Sequence, residues 1–400
     1  MVEIEKEVIK EKEKILDSVK LKENKVKTVV KEKKATQPIT DVDKTRELYE
    51  EFNSFLEDKT DIVPDLGEKI TISTGIDLMD AILGGGFAVG ALNIIVGNPG
   101  SGKTMLAIKT LGQGQKQYKG KLIGSFLDAE EATTTIRLSN LGVRTPMIKP
   151  YVDITVEKVF KFVEGLSVFK QKKKIVETPS IIVWDSIANT LSEKERQTDD
   201  PNTVIGYKAR LLSILVPKYL AKCSQNNICF LAVNQLRDKI DMGMFGAPNE
   251  LKFMTASKTM PGGNVLKFNA FQLVEMKIKS AIAEGKAEDS NKYGFEGVIV
   301  KAKCVKNKIF PPNVEIELVG SFTTGFSNFW TNFNFLKTTK RLKAGAWNSL
   351  ITLPEKKFRS KDAKLTYDSD PEFKVAWDKL VEETIQTDII EKYNPEIYSD

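Results

Sequence analysis

Gly97 to Thr104 read GNPGSGKT, inside the longer stretch ALNIIVGNPGSGKTMLAIK from Ala91 to Lys109. An apolar run of β type precedes the glycines and a helical pattern comes after them. The spacing G-x-x-x-x-G-K-[ST] therefore stands in the strand–turn–helix context that a phosphate-binding turn requires. Glycines let the backbone of Gly97, Asn98, Pro99, Gly100, Ser101 and Gly102 curl until successive N–H groups converge on phosphate oxygens, and the helix beginning near Lys103 adds its positive dipole end. Lys103 is expected to reach the β- and γ-phosphates, and Thr104 to offer its hydroxyl to Mg²⁺.

Working outward, the pattern predicts strands at Leu92–Val96, Leu122–Leu127, Ser180–Trp184, Ile228–Val233, Leu273–Lys279, Val298–Val305 and Val314–Val319. The first four alternate with helical patterns, which implies an α/β fold with parallel strands and right-handed crossovers. Ligands in such sheets lie past the carboxyl ends of the strands. Gly97, Asp128, Asp185 and Gln235 all fall there. The last three strands are expected to extend the sheet by antiparallel pairing.

Three strand ends carry chemistry. FLDAEEA puts Asp128 and Glu130 past the second strand, and the chain has no histidine, so proton transfer falls to carboxylates or water. Glu130 is the candidate for holding the attacking water. IIVWDS ends in Asp185, the pattern of a carboxylate that holds Mg²⁺. ICFLAVNQL delivers Gln235, whose amide can bond a phosphate oxygen and lose that bond on hydrolysis, so that ATP orders the segment attached to it. That segment is a long loop, Arg237 to Lys258, in which Arg237, Lys239, Lys252 and Lys258 alternate with Met242, Met244, Phe245, Phe253 and Met254. Cations for phosphates and apolar side chains for bases suit single-stranded nucleic acid.

The 400 residues carry a formal charge of +6 and three cysteines, compatible with nucleic-acid binding and without the Cys/His sets of zinc sites. No apolar run of roughly eighteen residues occurs, and the start lacks a signal-peptide core; the expected location is the cytoplasm. Residues 1–40 form a lysine- and glutamate-rich extension. In 41–66, Leu48, Tyr49, Phe52, Phe55 and Leu56 recur at helical spacing, a stripe that either folds back on the core or docks on a neighbouring subunit. The ATPase core is expected over 67–325. From 326 to 400, aromatic and basic residues and then a mildly acidic tail suggest a small second domain.

STGIDLMDAILGGG (73–86), GNPGSGKT, LDAEEA, VWDS, VNQLRDKI, MFG, PGGNVLKF, KNKIFPP and AGAWNS together resemble the RecA-type homologous recombinases of bacteria and the related phage recombinases of the UvsX kind, from Ser73 to about Trp347. The resemblance implies a RecA-like P-loop core with a small amino-terminal helical arm and a small carboxyl-terminal α+β domain. It makes Glu130 the catalytic glutamate, Asp185 the magnesium aspartate and Gln235 the phosphate sensor. It also implies that Lys306 and Lys308 reach a neighbour's ATP across a filament interface that includes Phe268. Arg210, Arg237, Gly262 and Gly263 match contacts to DNA phosphates, and Ile205 matches an apolar residue wedged between base triplets. Arg137 stands where the family commonly stacks a tyrosine on adenine. The amino-terminal stripe corresponds by position to the family's polymerisation helix, which favours docking of Phe52 and Phe55 on a neighbour.

The resulting expectation is an ATP- and Mg²⁺-dependent recombinase forming helical filaments on single-stranded DNA and exchanging it with homologous duplex, with single-strand-binding and mediator proteins as further candidate partners and no membrane. A hexameric ATPase on the same core, a replicative helicase or KaiC-like ring, is the alternative. The paired lysines Lys306 and Lys308 and the loop running from MFG to PGGN favour the filament.

Overall fold

The computed structural model describes residues 48, 50, 51, 69–148, 150–238, 258–282, 293–343, 345 and 347–393. Met1–Glu68 and Lys69–Asp400 form two compact units. In the first, Leu48, Glu50 and Glu51 are helical; Phe52 and Phe55 lie outside the described residues, as do Met244 and Phe245 of the long loop.

In the second unit, β1 (Thr71–Ile72) pairs with β2 (Phe87–Ala88) around the helix α1 (Asp77–Leu83). That helix stops at Gly84, whose φ of 79° is left-handed and free of strain for glycine. Next come β3 (Leu92–Gly97), α2 (Lys103–Gln117), β4 (Ile123–Asp128), α3 (Thr135–Asn140), β5 (Pro150–Tyr151), α4 (Val156–Lys173) and β6 (Ser180–Asp185). Next is α5 (Glu193–Gln197), begun by a capping box between Ser192 and Glu195, and a 3-10 turn at Pro201–Val204. After α6 (Tyr207–Gln225) and β7 (Ile228–Gln235), the short pair β8 (Arg237–Asp238) and β9 (Lys258–Thr259) closes the base of the long loop. The helix α7 (Asn264–Asn269) then leads into β10 (Gln272–Ile282), β11 (Gly297–Lys306), β12 (Glu315–Ser321) and β13 (Gly325–Phe326).

These strands make a nine-stranded sheet in the order β13-β12-β11-β10-β3-β7-β6-β4-β5. β10 pairs parallel to β3, and the antiparallel extension begins one strand later, at β11. The difference from the sequence expectation arises because α7 carries the chain back to the start of the parallel strands before β10 begins.

Alternating side chains of the central strands divide between two cores, as the period of two requires. Ile95, Val183 and Leu231 enter one cluster with α1 and α2. Ile94, Val96, Trp184 and Ala232 enter the other with α4 and α6. Burying a single Leu or Ile in such a core contributes about 1.5–3 kcal/mol, so the sheet that carries the functional strand ends is held from both faces.

Past β13 lie α8 (Asn328–Thr338), the three-stranded sheet β14 (Leu342–Lys343), β15 (Asn348–Leu350) and β16 (Leu353–Phe358), then α9 (Ala363–Ser369) and α10 (Pro371–Ile385). This α+β segment, from 326 on, packs on the sheet through a shared apolar cluster. Phe329, Phe333 and Trp377 belong to the same cluster as Ile95 and Leu106, with Phe329 stacked on Trp377 at 4.8 Å. The change in composition at Gly325 marks an added layer on one face of the sheet.

Candidate functional site

The turn after β3 is built by its own hydrogen bonds. Ser101 donates from both its N–H and its Oγ to the carbonyl of Asn98, at 3.3 and 2.8 Å. Gly102, at φ 81°, opens α2. Its missing side chain matters twice: the backbone is left-handed, and a Cβ there would lie 2.5 Å from Phe326 Cζ. β13 therefore packs directly beneath the turn.

Lys103 is buried, and its Nζ donates to Asn98 O at 2.8 Å. Burial holds its pKa below the ordinary lysine value, opposed by the charges of Asp185 and Glu130 nearby. Thr104 Oγ1 donates to Asp185 Oδ2 at 2.5 Å, joining the first turn of α2 to the end of β6. Burial pushes the Asp185 carboxyl up to about 7; the Thr104 hydrogen bond opposes this, and the charges of Glu130 and Asp128 add to it. A hydroxyl and a carboxylate beside two further carboxylates, with one lysine against them, form a hard-oxygen set short of positive charge. Those residues fit a Mg²⁺ ion shared with phosphate oxygens, the usual manner of holding that ion.

Asp128 and Glu130 have different surroundings. Asp128 is buried and accepts the backbone N–H groups of Glu130 and Thr133, so it shapes the turn after β4. Glu130 is exposed, and its Oε1 accepts from Ser186 Oγ at 3.1 Å and Asn189 Nδ2 at 2.6 Å. Ser186 and Asn189 escaped the sequence reading, although VWDS already put a hydroxyl next to Asp185. The Asp185–Ser186 peptide is cis. The turn beyond it is held by Trp184 Nε1 donating to Thr190 Oγ1 at 2.7 Å, and by Lys208 Nζ donating to the carbonyl of Thr190 at 2.7 Å.

Strand register brings these ends together. Gly97 pairs with Gln235, and Asp128 with Asp185. Gln235 is partly exposed, and its N–H donates to Asn234 Oδ1. Asn234 Nδ2 in turn donates to Pro261 O at 2.8 Å, tying β7 to the far end of the long loop. There Gly262 and Gly263 have φ of 95° and 78° before α7. Ile205 is 70% exposed at the head of α6, and Arg210, one turn on, donates to its carbonyl at 3.4 Å. Arg137, on α3, donates from Nη1 to Phe322 O and is fixed by the β12–β13 turn.

Lys306, Lys308 and Phe268 are elsewhere. Lys306 is level with Leu273 and Ile94, whereas Met276 is level with Gly97. Three residues of strand, about 10 Å, thus separate Lys306 from the phosphate turn along the sheet, at the amino-terminal end of the parallel strands. Lys306 Nζ donates to the carbonyls of Lys267 and Phe268 at 2.8 and 2.7 Å. Burial and the neighbouring Lys308 lower its pKa. Lys308 lies over the Phe271 ring at 5.6 Å, and Phe268 is 65% exposed.

A mostly parallel α/β sheet with this glycine turn, continued by Lys103 and Thr104 and faced by Asp185, defines a P-loop NTPase core. The family model described as the RecA N-terminal domain matches residues 64–327. Protein RecA of Sulfurovum sp. (strain NBC37-1) is 30% identical over 317 residues, 78% of this chain and 83% of that protein. Protein RecA of Thermus aquaticus is 31% identical over 294 residues, 73% and 76% of the two chains, and that of Borreliella afzelii (strain PKo) is 31% identical over 285, 70% and 71%. The chain belongs to the RecA family, the RecA-type recombinases. Among the described residues no helix is long and apolar enough to cross a membrane.

Proposed function

We propose that this chain binds and hydrolyses ATP while assembled as a helical filament on single-stranded DNA, and that the filament pairs this strand with a homologous duplex and exchanges strands. The observation that carries the reading is the division of candidate residues between the two ends of one sheet. Lys103, Thr104, Glu130, Asp185 and Gln235 converge at the carboxyl ends. Lys306 is three residues of strand from the level of Gly97, toward the opposite end, bonded to the carbonyl of Phe268, and Lys308 lies over Phe271. Lysines so placed can stabilise charge only on a nucleotide bound by a neighbour, which ties turnover to assembly.

In this reading the N–H groups of the turn from Gly97 to Gly102 and the Lys103 ammonium hold the phosphates. Thr104 and Asp185 hold Mg²⁺, which when bound neutralises charge on the phosphate oxygens. Glu130, steadied by Ser186 and Asn189, orients the attacking water and takes its proton. Arg137 offers a guanidinium plane on which a base can stack. Gln235 bonds the γ-phosphate and, through Asn234 and Pro261, passes its presence to the long loop. Arg210, Arg237, Gly262 and Gly263 contact DNA phosphates, while Ile205, Met244 and Phe245 contact bases. Matching is done by base pairing, so the protein needs phosphate and stacking contacts more than base readout.

The test is ATP hydrolysis with and without single-stranded DNA, with the same samples imaged by negative-stain electron microscopy. Strong stimulation with helical filaments supports the proposal. Hydrolysis indifferent to DNA, or closed six-fold rings, overturns it.

A further inference from the structure

A groove of about 560 Å³ lies between α1 and α10. Ala81, Phe310, Val381, Ile385 and Ile390 line it, and four carboxylates, Asp77, Asp80, Asp378 and Glu382, stand around them. Asp77 and Asp80 are one turn apart on α1; Asp378 and Glu382 are one turn apart on α10.

Among the described residues none of these four carboxylates makes an ion pair. Asp77 accepts from the amides of Asn328 and Asn332, Asp80 from Ser73 and Thr74, and Asp378 from the Tyr367 hydroxyl. Burial raises the Asp80 carboxyl to about 6, against the hydrogen bonds from Ser73 and Thr74, and its charge opposes the lowering of the Lys109 pKa by burial, with no ion pair between the two. Asp153, by contrast, pairs with Lys158 and Arg196, and Asp370 with Lys356. Like charges at one-turn spacing repel by a few tenths of a kcal/mol per pair. Here two such pairs border the same apolar cleft, in a chain whose formal charge is +6. The arrangement leaves apolar surface and negative charge that one complementary ligand would satisfy together.

We propose that this groove docks a basic amphipathic helix of a partner protein. Aliphatic side chains of the helix, three or four residues apart, enter between Phe310, Val381 and Ile385. Lysines or arginines flanking that stripe pair with Asp77 and Asp80 on one side and with Asp378 and Glu382 on the other, the helix-in-groove mode of recognition. The groove shares no side chain with the proposed ATP and DNA contacts, so the inference stands apart from the proposed function.

The test is fluorescence anisotropy of a labelled leucine–lysine amphipathic helix titrated with the full chain. Saturable binding is expected, weakened about tenfold in the Asp378→Asn, Glu382→Gln double variant, the effect of losing two exposed ion pairs. A peptide with serine in place of leucine should lose binding, and Asp153→Asn in the protein should leave it unchanged. Equal binding by the double variant, or by the serine peptide, would overturn the proposal. So would a loss of self-association in the double variant without loss of peptide binding, which would assign the groove to a second copy of the chain. Thermal melting of the double variant checks that its fold is intact.

Discussion

The two ends of the central sheet differ in how complete they are. At the carboxyl ends, the Thr104–Asp185 hydrogen bond, the Ser186–Glu130–Asn189 contacts and the buried Lys103 form a connected set within one chain. At the amino-terminal end, Lys306 rests on the carbonyls of α7, Lys308 lies over an aromatic ring, and Phe268 faces solvent. The first end is organised around something it holds. In the proposed filament Lys306 would leave its two carbonyls to meet a neighbour's nucleotide. The helix α7 is the physical link, since it runs from Gly262 and Gly263, at the exit of the long loop, to the carbonyls that Lys306 occupies.

This contrast is open to attack from both sides. Lys103→Ala should abolish ATP-driven assembly and lower turnover on the order of a hundredfold or more, since it removes the phosphate charge partner; retained ATP-dependent filaments in micrographs would break the assignment of the first end. Glu130→Gln should keep ATP and DNA binding while hydrolysis, measured by phosphate release, slows on the order of a hundredfold. Unchanged turnover would move the water-orienting role to another group. The double variant Lys306→Ala, Lys308→Ala should lower DNA-stimulated hydrolysis about tenfold or more and spare the affinity for a fluorescent ATP analogue. Lost nucleotide affinity would mean that these lysines act within their own chain. Phe268→Ala should be the mildest: a thermal stability change within about 0.5 kcal/mol, as for an exposed side chain, with filaments that dissociate at a higher protein concentration than the unsubstituted chain. A marked loss of stability would make Phe268 a core residue instead.

Much of the first end was legible because its signals are local. The turn from Gly97 to Thr104, Asp185 after four apolar residues, and Glu130 just past a strand are each contained in fewer than ten residues. The groups that steady Glu130 were not legible, because Ser186 and Asn189 lie 56 and 59 positions away and meet it only through the pairing of β4 with β6. The same limit hid which end of the sheet Lys306 occupies. That depends on the register of β11 against β10 and of β10 against β3, and a short sequence window carries no register between distant strands. It also hid the continuity of the core past Gly325: Phe329 and Phe333 stack on Trp377 from well outside any local window, and Phe326 fits beneath Gly102 because glycine leaves room for it.

The central claim, that one chain's phosphate turn is completed by another chain's Lys306 and Lys308, is tested most directly by mixing two inactive variants. One carries Glu130→Gln; the other carries Lys306→Ala and Lys308→Ala. In a mixed filament on single-stranded DNA some interfaces unite an intact turn and Glu130 from one chain with intact lysines from the other. Equal mixing should restore about a quarter of the normal hydrolysis rate if pairing is random. No recovery, in filaments shown by labelled subunits to contain both variants, would contradict the account.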